Sequence, residues 1–227
     1  FDDLEEWFRK LVGQYMVWAD YLYDHQRLRN ASIENVQFPY PYRTGQRDMV
    51  VSVYHAIREE TALFVQAPTG IGKTLATIFP AVQAMGQEMG DKIFYLTAKT
   101  ITRTVAVEAF EKLREGGLQF SSVVITAKEK ACFQEECACN PEQCPYAKGH
   151  YDRINAAVFD CINHEQNITR EVIYAYAGKH QVCPFEFCLD VSLWVDGIIC
   201  DYNYVFDPRV KLKRYFGQGV QGDYIFL

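Results

Sequence analysis

No run of about 20 apolar residues occurs in the chain, the length a helix needs to cross a bilayer, so no membrane-spanning segment is expected. A secretion signal is not expected either. The first residues, Phe1-Asp2-Asp3-Leu4-Glu5-Glu6, are acidic and mixed instead of basic and then apolar. Basic excess is also lacking: 23 Lys and Arg face 29 Asp and Glu, for a formal net charge of −6. A dedicated DNA-binding module is usually basic, so any nucleic-acid contact must run along a local track. Internal repeats and low-complexity tracts are absent, which sets aside solenoids and biased-composition tails.

What remains is a globular chain of 227 residues, 49% of them apolar and 15% aromatic, enough for one or two domains. Eight cysteines could mark a secreted disulfide scaffold, but most crowd into one third of the sequence. With no secretion signal, that crowding favours a metal or cluster site in a reducing cytoplasm, such as the bacterial cytoplasm or nucleoid. The opening Phe1 and the apolar close Tyr224-Ile225-Phe226-Leu227 read as internal to a longer protein.

Residues 4–28 read as one amphipathic helix. Leu4, Phe8, Leu11, Tyr15, Trp18 and Leu22 recur at alternating steps of four and three, a stripe expected to pack on a core. Phe38-Pro39-Tyr40-Pro41-Tyr42 forbids helix and predicts an extended linker. An α/β rhythm follows. Helices are expected at 46–58, 73–85 (bent at Pro80) and 101–114. Strands are expected at Ala62–Val65, Lys92–Leu96 and Ser122–Ile125, with a turn at Gly116-Gly117. The rhythm breaks over 127–195, where the cysteines gather, and resumes at Gly197–Cys200 and Tyr224–Leu227. Continuous apolar strands alternating with helices predict an α/β fold, a parallel sheet with helices on both faces. The domain reading is an N-terminal helix and linker (1–37), the first part of the α/β unit (38–126), a small inserted cysteine-rich, mainly helical domain (127–195), and a return to the α/β unit (196–227).

Gln66-Ala67-Pro68-Thr69-Gly70-Ile71-Gly72-Lys73-Thr74 stands between an expected strand and an expected helix, as a phosphate-binding loop requires. Gly70 and Gly72 let the backbone curl so that successive N–H groups face phosphate. The new helix adds its positive end. Lys73 would meet the β- and γ-phosphates and the Thr74 hydroxyl would hold Mg²⁺, with Pro68, Thr69 and Ile71 completing the cradle for ATP. The first position of the usual pattern is Ala67, not Gly. That A-x-x-G-x-G-K-T form resembles superfamily 2 helicases and their RecA-like motor lobe.

On that resemblance, Tyr42-Arg43-Thr44-Gly45-Gln46 is similar to the helicase Q motif. The Gln46 amide, with Arg43 beside it, would read the adenine edge, since an amide offers donor and acceptor together. A plain surface glutamine is the bland alternative. Thr97-Ala98-Lys99-Thr100-Ile101 resembles motif Ia, whose hydroxyls and cation contact single-strand phosphates; Thr97, Lys99 and Thr100 are the candidates. Thr100 also suits a helix cap.

Cys132, Cys137, Cys139 and Cys144 cluster before Pro145, and Val182-Cys183-Pro184-Phe185-Glu186-Phe187-Cys188 follows later. Here the chain resembles iron–sulfur DNA helicases of the XPD/DinG type, which carry a four-cysteine [4Fe–4S] domain between motifs Ia and II. Their last ligand sits in a Cys-Pro-aromatic step like Cys183-Pro184-Phe185. The resemblance implies the ligand set Cys132, Cys139, Cys144 and Cys183. Cys137 competes with Cys139 and Cys188 with Cys183, while Cys161 and Cys200 read as small core residues. Zinc also takes four cysteines, but usually through closely spaced pairs on both sides. Phe185 matches the family's DNA-facing aromatic; Leu189 stands near the place where relatives often carry an arginine. Lys148 and Arg153 beside Tyr146 and Tyr151 mix cation and aromatic as a single-strand track would, or form a solvated surface.

The resemblance implies ATP-driven 5′-to-3′ movement on single-stranded or forked DNA, in repair or recombination. It also implies a carboxylate pair just past Leu227. Two other readings stand beside it: a P-loop ATPase with a structural zinc insert, and a redox-sensing nucleic-acid-binding module without motor activity.

Overall fold

The computed structural model describes residues 2–98, 100–219 and 222–227. In chain order the elements are α1 (Asp2–Asn35), α2 (Gln46–Arg58), α3 (Lys73–Gly86), β1 (Lys92–Thr97), α4 (Thr100–Glu115), β2 (Ser122–Val124) and α5 (Lys128–Ala131). Then follow α6 (His150–His164), β3 (Asn167–Ile168), α7 (Arg170–His180), α8 (Pro184–Ser192), β4 (Gly197–Asp201), α9 (Asn203–Phe206), α10 (Lys213–Phe216) and β5 (Tyr224–Phe226). The strands form one parallel sheet in the order β3-β2-β4-β1-β5.

Alternation along each strand builds two cores. Phe94, Val123, Ile125, Ile198 and Cys200 point to one face and are covered by α6, α7 and α8 through Ala157, Val158, Cys161, Ile173, Ala177, Phe187 and Val191. Ile93, Ile199 and Ile225 point to the other face, against Ile78, Val82 and Met85 of α3 and Phe110 and Leu113 of α4. Apolar residues at successive positions of β4 (Ile198, Ile199, Cys200, all fully buried) follow from burial on both faces. The stretch 127–195 shares this core. Its strand β3 pairs with β2, Ser122 opposite Asn167, and its helices roof the sheet.

Two expectations are corrected. Ala62–Val65 forms no strand: Leu63 and Val65 are exposed and Phe64 is 95% exposed. A strand exists through its ladder, and β1 is already paired on both edges, by β4 and β5. The apolar stripe of the first helix is also only partly covered. Leu4, Phe8, Leu11, Tyr15 and Leu22 are exposed. Packing begins at Trp18, whose ring lies 4.3 Å from Trp194 and 5.1 Å from Phe159.

From there α1 is fastened by charge. Asp196, just ahead of β4, receives Arg29 at 3.0 Å, His25 at 2.9 Å and the Ser121 N–H at 2.8 Å. Burial pushes this carboxyl up, but the His25 hydrogen bond, the His25 and Arg29 charges and the Ser121 N–H outweigh it and hold it down at about 2. Lys92, buried nearby, donates to the Ser192 and Val195 carbonyls. Burial lowers its pKa to about 8 against the pull of Asp196.

Candidate nucleotide and thiol sites

The phosphate loop opens α3 as read from the sequence. Gly70 and Gly72 have φ of +85° and +81°. At Gly72 a side chain is excluded twice, by the left-handed backbone and by the Gln46 amide nitrogen 2.6 Å from where a Cβ would stand. The Lys73 ammonium donates to the Ala67 and Pro68 carbonyls at 3.1 and 2.9 Å, spanning the curl of the loop. The Thr74 hydroxyl accepts from Tyr95 of β1 at 3.3 Å, which ties the head of α3 to the sheet. Thr69 and Gly70 are exposed and Ile71 is half-buried.

Arg43 and Gln46 are brought to this loop. The Arg43 guanidinium donates to the Gly70 carbonyl, and the Gln46 amide donates to the Gly72 carbonyl at 3.4 Å. Gln46 is 4% exposed and its amide oxygen accepts from the Arg43 N–H at 3.1 Å. The glutamine is therefore a strut beneath the loop in this structure. Tyr95 was not foreseen, since an aromatic inside a buried strand carries no signal of a hydroxyl contact.

At the carboxyl ends of β1 and β4, Thr97 is buried and its hydroxyl accepts from Arg103 at 3.4 Å; Arg103 also faces Asp201 at 3.8 Å. Thr100 begins α4. Lys99 lies outside the described residues. Tyr202 and Phe206 stand exposed beyond β4.

The eight cysteines are all free thiols. Cys161, Cys188 and Cys200 lie in the core, and burial pushes each thiol up to about 12. The Cys188 sulfur sits 3.6 Å from the Val124 carbonyl, within the packing against the sheet. Of the other five, Cys144 is buried, and Cys132, Cys137, Cys139 and Cys183 influence one another where the cysteine loop nears the start of α8. Cys137 is raised by a hydrogen bond with Cys132 and by Cys139 nearby. Cys183 is raised by burial and, among smaller causes, by the neighbouring Cys139. The Lys128 ammonium hydrogen-bonds the Cys139 sulfur, which raises the lysine. The Cys139 thiol itself lies 3.7 Å from the Cys137 carbonyl, so the two rivals are neighbours. The donor chemistry suits a thiolate-ligated centre. The sulfurs do not converge: among the described residues no three Cys, His, Asp or Glu side chains form a metal-holding group.

Of the expected DNA contacts in this region, Lys148 is exposed. Phe185 is half-buried against the core. The Arg153 guanidinium is turned inward onto the backbone carbonyls of Lys148, His180 and Gln181. Tyr151, beside it, is 88% exposed. No helix among the described residues is long and apolar enough to cross a membrane.

The DEAD/DEAH box helicase profile matches residues 46–166, more than half of the chain. The chain belongs to the DEAD/DEAH box helicase family. A second profile, DEAD_2, matches residues 119–218 and so spans the cysteine loop, α6 to α8 and β4. A probable ATP-dependent helicase of Methanocaldococcus jannaschii is 45% identical over 47 residues, which is 20% of this chain and 7% of that protein. Two solved structures share the fold. An XPD helicase superposes with a TM-score of 0.54 at 16% identity, covering 82% of this chain and 32% of the other. A truncated XPD superposes with a TM-score of 0.54 at 17% identity, covering 78% and 50%. The chain therefore spans half or less of each of these relatives.

Proposed function

We propose that this helicase-family chain is the nucleotide-binding lobe of an ATP-dependent DNA helicase of the XPD/DinG type. It would couple ATP hydrolysis to 5′-to-3′ movement on single-stranded or forked DNA in repair or recombination. The observation that carries the reading is the phosphate loop at the head of α3, propped by Arg43 and Gln46.

In this reading Lys73 exchanges the Ala67 and Pro68 carbonyls for the β- and γ-phosphates, and the N–H groups at the start of α3 cradle the same charge. The Thr74 hydroxyl, oriented by Tyr95, serves Mg²⁺. Arg43 and Gln46 hold the loop in shape, and the exposed Arg43 would face the base. Thr97 at the sheet edge, Lys99 and Thr100 next in sequence, and Lys148 and Tyr151 beyond the cysteine loop would line the strand by phosphate contact and stacking. Cys132, Cys139, Cys144 and Cys183 would ligate a [4Fe–4S] cluster, which when bound supplies a cross-link between the loop and α8.

The test uses the full-length protein. Lys73→Ala should abolish DNA-stimulated ATPase and unwinding and leave the urea midpoint of unfolding unchanged, because Lys73 is exposed and its ammonium donates to loop carbonyls. Unwinding retained by the purified variant would contradict the proposal.

A further inference from the structure

We infer that Arg153 is a positioning residue for the thiol site and not a DNA contact, fastening the cysteine loop to the segment that delivers Cys183. The inference rests on the cluster reading above for its purpose, and on hydrogen bonds for its substance. From the first turns of α6, the Arg153 guanidinium donates to the Lys148 carbonyl at 2.8 Å, the His180 carbonyl at 3.1 Å and the Gln181 carbonyl at 2.6 Å. Lys148 closes the loop that carries Cys132 to Cys144. His180 and Gln181 end α7, two to three residues before Cys183. One side chain therefore caps the carbonyl end of α7 and ties it to the far stem of the loop.

The surrounding backbone is built for this. Gly149 has φ of +66°, and a Cβ there would stand 2.6 Å from an Arg153 guanidinium nitrogen. Gln181, the cap of α7, is itself left-handed at φ +53°. The next residue after Gly149 adds a second tie: the buried His150 ring accepts the Cys183 N–H at Nδ1, 3.2 Å away. The near stem is held separately, since Arg170 and Tyr174 of α7 both donate to the Lys130 carbonyl at 2.6 Å. With Lys130 pinned before Cys132 and Lys148 pinned after Cys144, the loop's freedom is confined to the residues between them. That confinement is what a four-thiolate site needs from its surroundings, because partners behind the ligands set their direction.

The experiment compares wild-type full-length protein with Arg153→Ala and Arg153→Lys, all purified without oxygen. Iron and sulfide content, the rate of cluster loss to a chelator, the urea midpoint, and the salt dependence of single-stranded DNA binding are measured. Loss of an outer partner of this kind weakens metal retention by about 10- to 100-fold. Arg153→Ala should therefore lose its cluster faster by about that factor, with Arg153→Lys intermediate, the urea midpoint of the α/β body preserved, and the salt slope unchanged. Unaltered retention in Arg153→Ala, with the salt slope reduced by about one counterion, would overturn the inference and restore Arg153 as a phosphate contact. Iron retention that falls only together with the urea midpoint, with no rescue by lysine, would overturn it as well. Wild-type protein without iron or sulfide would overturn the cluster reading itself and remove the inference with it.

Discussion

The eight cysteines divide between two regions that treat the same side chain in opposite ways. Cys161, Cys188 and Cys200 sit in the layer between the sheet and α6 to α8, where burial holds the thiol protonated and the sulfur acts as a small apolar group. Cys137 and Cys139 are exposed and Cys132 is half-exposed on the loop that follows the four-residue α5, with Cys144 buried towards the loop's far end and Cys183 half-exposed as the cap of α8. The body is held by packing on both faces of a parallel sheet. The loop is held at its stems by Arg170, Tyr174 and Arg153, and between the stems it has few apolar neighbours beyond Phe133 and Tyr146. A region that cannot bury enough surface to order itself is where a ligand-supplied cross-link has most to contribute.

The sharpest way to break this contrast is to exchange single sulfurs across it. Cys139→Ser should strip the iron from the anaerobic full-length protein, while Cys137→Ser should retain it, as iron and sulfide analysis will show; the reverse result would move the ligand to Cys137. A variant in the body should do the opposite. Asp196→Ala leaves Arg29 buried without its carboxylate partner and should cost about 3–5 kcal/mol in urea unfolding with no change in iron per folded molecule. A smaller effect comes from protons. The Asp196 carboxyl is held near 2, below the ordinary 3.8, so the stability it contributes is present above its unfolded pKa and is lost as pH falls from about 4 towards 2. The difference in unfolding free energy between wild type and Asp196→Asn should shrink by about 2 kcal/mol over that window. A difference independent of pH would show that the carboxyl is not held down by His25 and Arg29.

The same division runs through what the sequence made legible. Helix α2 and strands β1 and β4 fall within a residue or so of their expected bounds, because their burial pattern is set by apolar side chains that the sequence displays. Strand β3 was not foreseen: two residues, Asn167 and Ile168, have no periodicity, and only the neighbouring β2 makes them a strand. Ala62–Val65 failed for the converse reason, an apolar run without a paired edge. The stripe on α1 showed which face is apolar but not where its cover ends, since that depends on Trp194 and Asp196 far along the chain. At the nucleotide site, glycine and lysine spacing exposed the phosphate loop, whereas the inward turn of Gln46 could not be read because an amide looks the same pointing either way. Arg153 is a similar case. Its position among aromatics suits a nucleic-acid track, and only the carbonyls at the end of α7 reveal where its donors go.

That one set of cysteines belongs to packing and the other to a ligated centre is tested most directly by thiol labelling. Folded, anaerobic full-length protein would be pulse-labelled with an alkylating reagent before and after removal of iron by a chelator, and each cysteine scored by mass spectrometry. Cys161, Cys188 and Cys200 should stay unlabelled in both states, while Cys132, Cys139, Cys144 and Cys183 should be protected before chelation and become reactive after it. Equal labelling of Cys139 and Cys183 in the two states, or protection released from Cys188 or Cys200 by the chelator, would contradict it.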